Sequence, residues 1–210
     1  MPTLTEEDVF TFEQLSDSAK DKARQWMRDC EMQDFDTEFM FEDFGLAAGI
    51  LGIELNQTQN GTFDIRWSGF SSQGDGASFV GSYSNAPGAS VKIREDYPEE
   101  TGLHAIADGL TALQVGYRLS CGKFISASIT QDDNHYCHAR TMDICVSEGE
   151  DEDVPFDGDG ETRLLKLMRD FADWMYKSLE EEWDYRLSDE CIDEYLKDGD
   201  YEFDEDGELV

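Results

Sequence analysis

The chain has 210 residues with 49 acidic against 16 basic side chains, a formal net charge of −33 and a pI near 4.1. This excess argues against direct binding to DNA, RNA or an anionic membrane, because phosphate contacts need Lys and Arg. Hydrophobic residues at 39% and aromatic residues at 12% supply material for one sizeable core and exclude generic disorder.

No run approaches the roughly 18 apolar residues of a spanning helix, and the start MPTLTEEDVF is acidic where a signal peptide is basic and then apolar. Five cysteines, odd in number and spread over positions 30, 121, 137, 145 and 191, suit reduced thiols better than a disulfide framework. The expectation is a soluble, cytoplasmic protein.

Taken in chain order, Phe12, Leu15, Ala19, Ala23, Trp26 and Met27 recur at spacings of three and four and predict a helix over 16–29. Ser16 is its expected N-cap, with Thr11 and Gln14 as an earlier capping-box pair. After the acidic stretch 31–36, the residues Phe41, Phe44, Leu46, Ala47, Ile50 and Leu51 predict a second helix ending at Gly52. Residues 53–55 read as a short strand, Asn60-Gly61 as a turn, and 62–70 as the second strand of a hairpin with Phe63, Ile65 and Trp67 on one face. Residues 77–83 continue as strand, and Ile106, Leu110 and Leu113 stand at helical spacing within 104–113. Two longer strands are expected over 117–130 and 135–146, joined by the polar turn 131–134.

The stretch 147–160 is an acidic loop around Pro155. From Glu161, the stripe Leu164, Met168, Phe171, Met175 and Leu179, flanked by Leu167, Trp174 and Trp183, predicts a long helix buried against the sheet. Ser188 caps a shorter helix through Lys197, and 201–203 reads as an edge strand. The expected class is α+β, an antiparallel sheet of four or more strands with helices mainly on one face. It forms a single domain with an acidic loop at 147–160 and an acidic C-terminal segment at 179–210.

The string W-S-G-F-S-S-Q-G-D-G-A-S-F at 67–79 brings two strands to a loop in which Gly74 and Gly76 supply positive φ and Asp75 closes an Asx turn. It reads as a tight sheet connection or as a binding loop. With F-x-x-L-S-x-x-A-K at 12–20 and R-D-F-A-D-W-x-Y at 169–176, it makes the chain similar to a group of acidic phage and prophage proteins, some labelled antitoxins of toxin–antitoxin stability systems. The resemblance implies a phage or prophage origin and transfers no catalytic residue.

Charge is unevenly placed. Residues 46–147 hold 11 acids and 6 bases, whereas 1–45 hold 13 and 4, and 179–210 hold 15 and 2. Adaptation to molar salt would spread carboxylates over every element, so the clustering points to a functional acidic surface. Carboxylates three or four residues apart on a helix lie about 5–6 Å from each other, comparable with phosphates along a DNA strand. The candidate partner-binding residues are Glu180, Glu181, Glu182, Asp184, Asp189, Glu190, Asp193, Glu194 and Asp198, together with Asp29, Glu31, Asp34, Asp36 and Glu38.

The reading is a non-catalytic inhibitor that imitates duplex DNA and binds a host nucleic-acid-binding defence protein, such as a CRISPR effector, a restriction enzyme or a repair nuclease. The alternatives are an antitoxin-like cover for a basic toxin and an enzyme working through His135 and Cys137. A zinc site there would also need Cys121 or Cys145, and no Cys-x-x-Cys pair supports it. The calcium-loop start Asp157-Gly-Asp159 fails, with Met168 where the bidentate Glu belongs. No cofactor or metal is expected. The charge opposes self-association without forbidding it.

Overall fold

Ser16 leaves extended backbone and accepts the Ala19 N–H on its hydroxyl (3.3 Å), which starts helix α1 (Asp17–Glu31). Ahead of it, the Thr11 N–H donates to Gln14 Oε1 (2.8 Å) around a single 3-10 turn. The computed structural model describes residues 9–132, 136–147 and 158–210. The chain folds into two compact units, one built from its two ends, Met1–Asp36 with Glu180–Val210, the other from Thr37–Leu179.

The terminal unit has its own core. Phe12, Leu15, Ala19, Ala23 and Met27 meet Ile192 and Leu196 of helix α6 (Asp189–Asp198) and Phe203, with Trp26 edge-on to Tyr201 and Phe203. The expected edge strand at 201–203 shortens to isolated bridges of Phe203 with Phe10 and Leu209.

The central unit begins with α2 (Glu38–Leu51), stopped by Gly52 in the left-handed conformation, and continues through β1 (Ile53–Leu55), β2 (Ile65–Ser68), β3 (Gly76–Phe79) and β4 (Gly81–Tyr83). Then come α3 (Ala89–Asp96), α4 (Thr101–Cys121), β5 (Ser126–Gln131), β6 (Met142–Ser147) and α5 (Gly158–Arg186), whose last turns belong to the terminal unit. The four-stranded antiparallel sheet has the order β1-β4-β5-β6, and β2-β3 form a separate two-stranded ribbon. Ile53, Tyr83, Ala127, Ile129 and Ile144 are buried on the sheet, and Phe79 of the ribbon meets Phe171 of α5 edge-on. Buried Gln114 on α4 joins helix to sheet: its amide donates to Tyr83 Oη (3.0 Å) and to the Ile125 carbonyl (2.8 Å), and accepts the Ile125 N–H (2.9 Å). The architecture is α+β, as the pattern of elements predicts.

Several strands differ from the sequence reading. Residues 53–55 and 62–70 do not form a ladder; the Asn60-Gly61 turn carries only the Gln57–Phe63 bridge, while β1 pairs with β4. Gly81 permits this, because a Cβ there would run into the Glu54 carbonyl. Residues 77–83 break at Val80 into strands of two different sheets. Of the expected strand at 117–130, residues 117–121 are the end of α4, capped by Gly122 (φ 75°) with Val115 and Leu119 facing solvent, and strand begins only at Ser126. Strand in 135–146 begins only at Met142, after a 3-10 turn at Ala139–Thr141. Among the described residues no helix is long and apolar enough to cross a membrane.

Candidate functional site

Folding brings the two acidic runs into one unit. Asp29 and Glu31 end α1, Asp34 and Asp36 follow it, Glu180, Glu181, Glu182 and Asp184 occupy the last turns of α5, and Asp189, Glu190, Asp193, Glu194 and Asp198 ride on α6. Glu38 opens α2 in the central unit instead. The terminal unit holds 25 acidic and 6 basic residues, the central unit 24 and 10.

The cations of the terminal unit are consumed internally. Arg24 on α1 forks onto Asp193 of α6 (Nε to Oδ1 2.6 Å, Nη2 to Oδ2 2.9 Å) and reaches Asp21 (2.8 Å). Arg28 donates to Asp189 and to the Leu187 carbonyl (3.1 Å). Arg186 bonds Glu182 (2.7 Å) and lies near Glu31 (3.9 Å). Lys197 lies near Asp193 (3.9 Å), Lys22 near Asp206 (3.7 Å), and Lys20 sits over the Phe12 ring.

Asp193, expected to point to solvent, is therefore the anchor of the α1–α6 pairing. Exposed acids that remain include Asp29, Asp34, Asp184, Glu190, Glu194 and Asp198. Glu190, Glu194 and Asp198 follow at intervals of four on α6, away from buried Ile192 and Leu196, which spaces their Cα atoms by about 6 Å.

The hydrogen bond from Arg24, then its charge, hold the Asp193 carboxyl below its usual range. A depressed carboxylate stabilises the fold above its unfolded pKa of about 3.9, and the contribution vanishes as pH falls through the lower folded value. Asp193→Asn is expected to cost about 1–2 kcal/mol at pH 7. By urea titration, the gap between variant and wild type should close on acidification below about pH 4. A gap independent of pH would refute the ion-pair account.

A second feature lies wholly in the central unit, where the strings 67–79 and 169–176 meet. Asp75 closes the β2–β3 loop by accepting the N–H groups of Ser71 (3.0 Å) and Ser72 (2.6 Å), and these backbone bonds depress its carboxyl. Trp67 stacks on Phe70, Phe70 lies against Tyr176 of α5, and Tyr176 Oη donates to the Gly69 carbonyl (2.9 Å). On the other side the loop rests on the segment 136–138: a Cβ at Gly74 (φ 115°) would stand 3.0 Å from the Tyr136 ring, and one at Gly76 2.5 Å from His138 Cβ.

Loop, segment and α5 wall an open cleft of about 870 Å³. Lys166, Arg169, Asp170 and Asp173 contribute one face of α5, at offsets of three, four and seven residues. Lys166 pairs with Asp170 (2.5 Å), and Arg169 Nη2 donates to the Met142 carbonyl (2.8 Å). His138 Nδ1 accepts the Arg140 N–H (3.1 Å), which leaves the proton of the neutral ring on Nε2. Desolvation, then the neighbouring Asp170 charge, push the Asp173 carboxyl above its usual range. A further cavity of about 660 Å³ beside α2 and β1 has Glu54 as its one ionisable lining residue.

Lys166, Arg140 and His138 were not singled out from sequence; the nearest signal was the string at 169–176, which begins three residues after Lys166. Among the described residues no group of three His, Cys, Asp or Glu is placed to hold a metal ion. His135 lies outside the described residues, while Cys137 and Cys145 are free thiols. His104 is held by the Tyr97 carbonyl (2.8 Å from Nε2).

These features define an α+β domain with a charged cleft, carrying an acidic unit made from the chain ends. The chain belongs to the family described as Domain of unknown function (DUF8835), whose model matches residues 37–189. The match starts at the first residue of the central unit and includes both strings and the cleft, whereas α1 and nearly all of α6 lie outside it. No curated protein and no solved structure matches the chain.

Proposed function

We propose that the chain is a non-catalytic, phage-type inhibitor that acts in the host cytoplasm by presenting its terminal unit to the cationic nucleic-acid groove of a host defence protein. The observation that carries this reading is the meeting of two acidic runs, about 150 residues apart in sequence, in a unit whose three arginines are tied into its own ion pairs. The outer face of α6 keeps Glu190, Glu194 and Asp198 exposed, with Lys197 as the cation beside them, at a spacing that a helix holds rigidly. The resemblance to acidic phage and prophage proteins supports the same reading.

The test takes the partner captured from host lysate and measures competition with duplex DNA. Replacing Asp184, Glu190, Glu194 and Asp198 together by their amides is expected to weaken partner binding at least about tenfold and to flatten its salt dependence. The fold should survive, since these side chains are exposed. The same number of changes in the acidic stretch 148–159 should do much less. Equal losses from the two sets would favour the antitoxin-like charge cover, and no loss from either would refute the proposed interface.

A further inference from the structure

The cleft of the central unit gathers cations in a chain that has few. Three of the unit's ten basic residues, Arg140, Lys166 and Arg169, line it together with His138. Its carboxylates are already committed or weakened as charges. Asp75 is turned into its own loop by Ser71 and Ser72, Asp170 is neutralised by Lys166, and exposed Asp173 lies within the field of Arg140 and Lys166.

Both guanidinium groups, by contrast, keep donors without acceptors. Arg169 Nε is buried with no hydrogen-bond partner, and the exposed Arg140 guanidinium pairs with no carboxylate or carbonyl among the described residues. The free His138 Nε2 position adds a third donor in the same walls. A site with donors in surplus calls for a ligand rich in acceptors, and forked guanidinium groups match an oxyanion best. The volume of about 870 Å³ exceeds what a bare tetrahedral anion fills and falls in the range of small-molecule sites. Tyr136, half of whose surface is exposed, borders the space beside Gly74 with its ring tilted against that of His138 (6.2 Å between centroids).

We propose that this cleft binds a small phosphomonoester of nucleotide size, with Arg140, Arg169 and His138 holding the phosphate. The site is independent of the acidic surface and of any partner that surface engages. It accounts for the meeting of the two strings, because residues 73–75 and the α5 face 166–173 both line it.

Isothermal titration of the full chain with adenosine 5′-monophosphate, inorganic phosphate and adenosine provides the test. The monophosphate is expected to bind, inorganic phosphate more weakly at the same place and in competition with it, and adenosine not measurably. Arg140→Gln is expected to weaken the monophosphate by about ten- to a hundredfold, the loss of a charge-assisted hydrogen bond. Arg118→Gln, on α4 outside the cleft, should leave it unchanged. Lys166→Gln serves as a second variant, with exposed side-chain position and the same expected direction. Absence of heat with both phosphates would overturn the proposal. So would adenosine binding as tightly as its monophosphate, or equal losses from the Arg118 and Arg140 variants.

Discussion

Trp174→Ala is expected to cost about 3 kcal/mol of unfolding free energy, read from urea denaturation followed by far-ultraviolet circular dichroism. Trp174 is only half-buried, yet it joins three elements of the central unit. Its ring stacks on Phe171 (5.5 Å between centroids) and meets Phe44 of α2 (5.3 Å) and Tyr97 (6.4 Å) edge-on. Its Nε1–H donates to Glu100 Oε2 (2.8 Å), just before α4. Truncation removes these aromatic contacts and leaves a void that rings on separate helices close poorly. Trp174→Phe, which keeps a ring and loses the indole donor, should cost about 1 kcal/mol. A loss below about 1 kcal/mol for the alanine variant would show that this cluster does not hold the unit together.

Gly76→Ala should cost about 2–3 kcal/mol, in the upper range for overpacked sites. The added methyl would stand 2.5 Å from His138 Cβ, 2.9 Å from its Cα and 3.2 Å from the Cys137 carbonyl, so backbone must move. A flexible side chain could swing aside; a peptide segment held by the Thr141–His138 turn bonds cannot do so cheaply. Gly116→Ala gives the contrast, because nothing lies within 4 Å of its added Cβ and helix propensity favours alanine. Similar stabilities for the two variants would contradict the close approach of loop and segment.

The helices were legible where an apolar stripe and a cap agreed. The stripe of α1 is the buried face observed, and Ser16 and Ser188 each accept a backbone N–H of the first turn. Helix α3 escaped notice because eight residues bury only Ala89 and Ile93, too few to show a period. The end of α4 was misread because Val115 and Leu119 are apolar yet exposed, so hydrophobic pattern and burial disagree there. Strand identities were visible while partners were not, since the choice of β4 over β2 for β1 depends on a close backbone approach at Gly81.

For the candidate sites, charge density could be counted directly, but the pairing of Arg24 with Asp193 spans 169 residues and no local pattern reports it. The strings at 67–79 and 169–176 marked the right places for the cleft. Its third wall, the segment 136–140, carried only a short run of mixed residues whose role is set by contact with Gly74 and Gly76.

The acid-rich outer stripe of α6 has a thermodynamic consequence. A row of fixed carboxylates that outnumbers its neighbouring cations gathers mobile sodium or potassium ions from solution, much as a phosphate backbone does. Docking against the proposed cationic groove would release that ion cloud together with the anions that surrounded the groove. The gain is then one of mixing rather than of bond formation, so calorimetry should record little heat beside a large favourable entropy, eroding as bulk salt rises and released ions have less dilution to gain.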